Sequence, residues 1–137
     1  MTKYVVDSMA YLRYLVDRLP DEANTIFDRA EAGLDVLYAP DVVIGETLYE
    51  VAFGGHVAGV QLQGNPNDVY RRTVTNGPLN VASLDEHAMA IYASLAEFYE
   101  MELHDGLIHA AHRTLDTEAV ISDDTHLRQN DVELVWD

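Results

Sequence analysis

The 137 residues predict an α/β fold, a central parallel sheet of four to five strands with helices on both faces. Two observations predict the sheet. Short β-branched runs such as Tyr4-Val5-Val6 are apolar at consecutive positions, so both faces of the strand must be buried. These runs alternate with segments of helical spacing, the pattern of strand–helix–strand units. A third observation concerns the core. Apolar residues make up 48% of the chain, enough for one domain despite the high charge.

The elements follow in order. Tyr4–Val6 is the first strand and ends in Asp7-Ser8. Met9, Leu12, Leu15, Val16 and Leu19 recur at helical spacing, and Pro20 closes that helix. Asp21 can cap the next helix, with Ala23, Ile26, Phe27 and Ala30 inward and Gly33 as its stop. Asp35–Tyr38 is a second strand. Ala39-Pro40-Asp41 then turns into a helix from about Val42 to Phe53, which carries Glu46 and, four residues later, Glu50. Residues 54–78 form a helical and loop excursion, too short to own a core, with a helix predicted over Asn67–Thr75. Leu79–Ala82 is a third strand. Ser83 to Glu86 has capping-box spacing and opens a helix to about Met101, with Ala88, Ile91, Tyr92, Leu95 and Phe98 inward. Asp105 lies in the first turn of the following helix. Glu118–Ile121 is a fourth strand ending in Ser122-Asp123-Asp124, and Val132–Trp136 a fifth. The whole, 1–137, reads as a single domain.

Composition excludes several classes. There is no cysteine, so disulfides and thiolate metal sites are out. No apolar run is long enough to span a membrane and no basic-then-apolar leader is visible, so a cytoplasmic protein is expected. Asp and Glu total 24 against 8 basic residues, a net charge of −16, and Lys3 is the only lysine. Scattered acids with almost no lysine favour a halophilic origin over affinity for basic partners, because about 1 M salt shortens the Debye length to about 3 Å and screens self-repulsion.

Asp7, Glu46, Asp105 and Asp124 each follow a strand or lie near a helix start. In a parallel sheet such positions share one edge, where open α/β sheets bind their ligands. Carboxylates gathered there repel and raise one another's pKa, so the natural occupant is a hard cation, Mg²⁺ or Mn²⁺. The competing reading is a set of helix caps and solvated surface acids.

The order VVDS, APDVVIGETLYE, HDGLIHAAH and AVISDDTHL resembles the PIN domain family, in particular its VapC-like toxin branch. The resemblance spans nearly the whole chain and is weakest over 54–78. It implies a PIN-like three-layer α/β/α fold and a metal-dependent endoribonuclease. Asp7, Glu46, Asp105 and Asp124 would be catalytic, with Asp7, Asp105 and Asp124 as metal ligands. Ser8, Ser122 and Asp123 would support them. Hydrolysis by a metal-activated water would leave a 5′-phosphate and a 3′-hydroxyl. The resemblance further implies a cognate antitoxin protein as partner and a homodimer. Met9 and His109 depart from the family pattern, which has a small polar residue and an alanine there.

Arg13, Arg71, Arg72 and Arg128 are candidate RNA contacts, set against ordinary ion pairing in an acid-rich chain. His104, His109 and His112 raise a zinc reading, but no fourth ligand follows at usual spacing. Tyr92, Phe98 and Tyr99 suit a core or a dimer interface. A housekeeping PIN nuclease of RNA maturation and a catalytically silent PIN-like binding module are the alternatives. A phosphoacceptor receiver domain fits poorly, since it needs paired acids after the first strand and a lysine near the pocket.

Overall fold

A computed structural model describes residues 1–137. The first strand, β1 (Thr2–Val6), lies at the centre of the main sheet. It runs into α1 (Ser8–Leu15), α2 (Asp21–Glu31) and β2 (Asp35–Pro40). Then come α3 (Asp41–Ala52), a small hairpin of β3 (His56–Val57) and β4 (Val60–Gln61), and α4 (Pro66–Tyr70), which continues as a π-helical turn over Arg71–Thr75. β5 (Leu79–Ala82), α5 (Glu86–Phe98), α6 (Leu103–Leu115), β6 (Ala119–Ile121), α7 (Thr125–Gln129) and β7 (Leu134–Val135) complete the chain. The five long-range strands pair in the order β5-β2-β1-β6-β7, all parallel.

Both faces of the sheet are covered, as its sequence requires. Val5 and Val6 point to opposite sides, yet each is fully buried. Their neighbours Leu37, Ala39, Val120 and Ile121 join Phe27 of α2 and Ile108 of α6 in one core. The four inward positions predicted for α2 are its four buried residues. Gly33 ends that helix with φ +76°, a conformation that favours glycine.

Several boundaries differ from expectation. α1 stops at Leu15, one turn before Pro20, because Asp17 turns left-handed with φ 55°. Asp21 is the first residue of α2, not its cap; Pro20 holds that place. Asp85, not Ser83, caps α5 by accepting from the Ala88 amide at 3.0 Å. That helix ends at Phe98, and of its predicted inner stripe only Ala88 is buried. Phe98 is 82% exposed, so it belongs to the surface and not the core. α7 and the β3–β4 hairpin are additions that periodicity did not indicate. The 54–78 excursion is fastened by a second small cluster, Val57, Leu62 and Val69 against Leu12 of α1 and Val51 of α3.

The strand order reverses direction at β1, whose partners on either side come from different parts of the chain. Register places Val6 beside Ile121, so the next residues, Asp7 and Ser122, emerge side by side at the carboxyl edge.

Candidate metal centre

Asp7 leaves β1 and caps α1, its Oδ1 accepting from the Ala10 amide at 2.8 Å. Its own amide donates to the Ile121 carbonyl at 3.3 Å, which pins it to the end of β6. The residue is 7% exposed. Burial pushes its carboxyl up from 3.8 to about 7, with hydrogen bonds from Ser122 and the Ala10 amide opposing the rise and the charges of Asp123 and Asp124 adding to it.

Asp124 repeats the device. It caps α7 by accepting from the His126 amide at 2.9 Å, and its amide donates to the buried Ser122 hydroxyl at 3.0 Å. Asp105, in the first turn of α6, faces it. Burial, then the neighbouring Asp124 carboxyl, raises Asp105 to about 6. One ligand atom from each of Asp105, Asp124 and His126 lies within 4.8 Å of the others. The His126 Nδ1 stands 3.6 Å from Asp124 Oδ1.

Asp7 and Glu46 both stand outside that trio, and Glu46 is tied to the chain neighbours of Asp7 and Asp105. It accepts from the Ser8 hydroxyl at 2.8 Å and faces His104 Nδ1 at 3.1 Å. Ser8 follows Asp7 and His104 precedes Asp105, so α3 is bridged to α1 and α6 through this one carboxylate. A cleft of about 560 Å³ opens beside it, lined by Ser8, Met9, Glu46, Tyr49 and His56 among others.

No Lys or Arg forms an ion pair with Asp7, Glu46, Asp105 or Asp124. A nearly inaccessible carboxylate crowded by two more, with oxygen and imidazole donors and no basic partner, suits a divalent cation. The donor set therefore fits Mg²⁺ or Mn²⁺.

The other named residues lie elsewhere. Arg13 sits 5.6 Å over the Trp136 ring and donates to the Arg18 carbonyl. Arg71 pairs with Asp68, and Arg72 lines a separate cavity with Tyr14 and Glu31. Arg128 is on α7. The histidines of the zinc reading do not converge: His104 meets Glu46, His112 meets the Thr117 hydroxyl at 2.7 Å, and His109 is buried against Tyr99 and Arg113. Burial and the adjacent Arg113 charge depress His109 to about 4. Sequence reasoning missed His126, whose only signal was its place two residues after Asp124.

No protein-family model and no curated protein matches the chain. Solved structures do. VapBC2 from Rickettsia felis, bound to a DNA fragment from its promoter, superposes with TM-score 0.71 at 12% identity over 99% of this chain and 100% of that one. FitAcB from Neisseria gonorrhoeae gives 0.67 at 19% identity, covering 96% and 95%. VapC20 from Mycobacterium tuberculosis, a Sarcin-Ricin loop cleaving toxin, gives 0.65 at 15% identity, covering 98% and 99%. Identities this low speak to architecture, and the architecture is shared from end to end: the chain has the PIN-like α/β fold of the VapC proteins.

Proposed function

We propose that the chain is a divalent-metal-dependent endoribonuclease, the toxin of a type II toxin–antitoxin pair acting in the cytoplasm. The observation that carries this is the convergence of Asp105, Asp124 and His126, with the buried Asp7 carboxyl at the sheet's carboxyl edge feeling the Asp124 charge and no basic partner, in a PIN-like fold. VapC20, a Sarcin-Ricin loop cleaving toxin, shares this fold, as do VapBC2 and FitAcB, and that supports the reading. RNA as substrate, an antitoxin as partner and a homodimer are parts of this proposal.

Asp7, Asp105 and Asp124 would hold the cation. Mg²⁺ or Mn²⁺ bound there would supply Lewis-acid polarisation of a phosphodiester and a water acidic enough to react near neutral pH. Ser122 holds the Asp124 backbone and hydrogen-bonds Asp7, fixing both acids to β6. Asp123 adds negative potential at Asp7. Glu46, aligned by Ser8 and His104, would orient a water or receive its proton. Phosphate contacts would fall to the exposed arginines. The −16 charge fits a salt-rich cytoplasm, and loss of folded protein on dilution from molar salt would support that origin.

The test is cleavage of a tRNA pool by purified protein in high salt with Mn²⁺, beside Asp7→Asn, Asp105→Asn and a chelator control. Cleavage by wild type alone, lost with chelator, supports the reading. Cleavage surviving both substitutions sinks the site, and a folded wild type that cleaves no RNA and binds no metal sinks the function.

A further inference from the structure

His126 is the one nitrogen donor whose ligand atom joins those of Asp105 and Asp124 within 4.8 Å. Its position has a local cause. Asp124 is the cap of α7 and His126 the second residue inside the helix, bonded back to the cap through its amide. A helical side chain leans toward the helix N-terminus, which here brings the imidazole over the carboxylate that caps it. The ring is otherwise free: its Nδ1 faces only Asp124, and the side chain is 72% exposed, so it can swing without disturbing the core. The spacing is right for a shared ion. Opposite oxygens around Mg²⁺ stand about 4.2 Å apart, so small rotations would bring all three donors onto one cation.

We infer that His126 donates a ring nitrogen to the cation held by Asp105 and Asp124, and that this nitrogen makes the centre favour Mn²⁺ over Mg²⁺. The inference rests on the metal reading proposed above. Carboxylate and water serve Mg²⁺ and Mn²⁺ alike, whereas imidazole is a better donor to first-row transition ions than to Mg²⁺. Removing the ring should therefore weaken Mn²⁺ much more than Mg²⁺, while removing a carboxylate should weaken both.

The experiment uses the intact protein and the metals alone. Calorimetry measures Mn²⁺ and Mg²⁺ binding to wild type, His126→Ala and His104→Ala. Electron spin-echo spectroscopy of the Mn²⁺-loaded proteins reads nitrogen coordination directly. The expected result is a ¹⁴N modulation in wild type and His104→Ala that is absent from His126→Ala. Mn²⁺ affinity should fall about tenfold or more in His126→Ala with Mg²⁺ affinity nearly unchanged. Mn²⁺ binding without ¹⁴N modulation, or a modulation lost only in His104→Ala, overturns the role of His126 and leaves the metal centre standing. Binding of neither ion to folded wild type overturns the metal centre and this inference together.

Discussion

Two aspartates at opposite ends of the central strands are buried to nearly the same degree, Asp7 at 7% exposure and Asp35 at 6%. Asp35, at the start of β2, is met by the Arg29 guanidinium at 2.8 Å and by the Thr2 amide at 3.3 Å. The Arg29 bond holds its carboxyl below the usual range. Asp7, at the exit of β1, has hydrogen bonds but no cation, and its carboxyl rises to about 7. Both are shielded from solvent, but Asp7 is packed far more deeply in protein, so desolvation dominates there while the Arg29 guanidinium dominates at Asp35. An acid that serves the fold brings its counter-charge in the same chain; an acid left without one is suited to a charge from outside.

The contrast can be broken at either end. The largest effect is on chemistry. Asp7→Asn should reduce RNA cleavage about a thousandfold or more, the several kcal/mol a metal contributes to the transition state, whereas Asp35→Asn should leave the rate per folded molecule unchanged. Stability should move the other way. In chelator at pH 8, Asp7→Asn should raise unfolding stability by up to about 4 kcal/mol, because wild type must bury an ionised carboxylate. Asp35→Asn should lower it by about 1 kcal/mol, since Arg29 is half exposed and solvent screens the pair.

The pH profiles sharpen the same comparison. Asp7 has a folded pKa above its unfolded value of 3.8, so its contribution is fully present below about 4 and is lost as pH rises through about 7. Asp35 has a folded pKa below 3.8, so its contribution is present above about 4 and is lost as pH falls through the folded value. Urea unfolding in chelator from pH 3 to 8 should show both limbs. Asp7→Asn should make only the limb that falls as pH rises shallower, the remainder belonging to Asp105, and Mn²⁺ should restore more stability at pH 8 in wild type than in the variant. The smallest effect belongs to Ser122→Ala, which deletes the hydroxyl beneath Asp124. It should cost about 1 kcal/mol of stability and about tenfold in cleavage, read in the same two assays.

Much of this was legible in the sequence, for reasons that differ by element. β1 was readable because Val5 and Val6 leave no polar face, and α2 because its four inward residues keep helical spacing. The places of Asp7 and Asp124 after strands, and of Asp105 at a helix start, were readable from the order of the elements. What escaped detection depends on contacts too short or too distant for periodicity. α7 has five residues, less than two turns, and shows no repeat. The caps of α2 and α5 shifted by one or two positions, which moved no inward face. His126 was hidden because residues two apart do not share a helix face; here one of the pair lies outside the helix and folds back. Phe98 was misassigned because helical spacing identifies a stripe but not the neighbour that would cover it.

α7 has a further consequence. It is barely more than one turn of helix, held at its start by two side-chain bonds, from the His126 amide to Asp124 and from the Asp124 amide to Ser122. Its middle residue, Leu127, is fully buried in the main core, so the segment cannot lift without opening that core. Asp124 and His126 therefore ride on a short helix riveted to the core, as Asp7 is pinned to the end of β6. Loss of these two donors would require a much larger unfolding, and ion residence would track the stability of the domain as a whole.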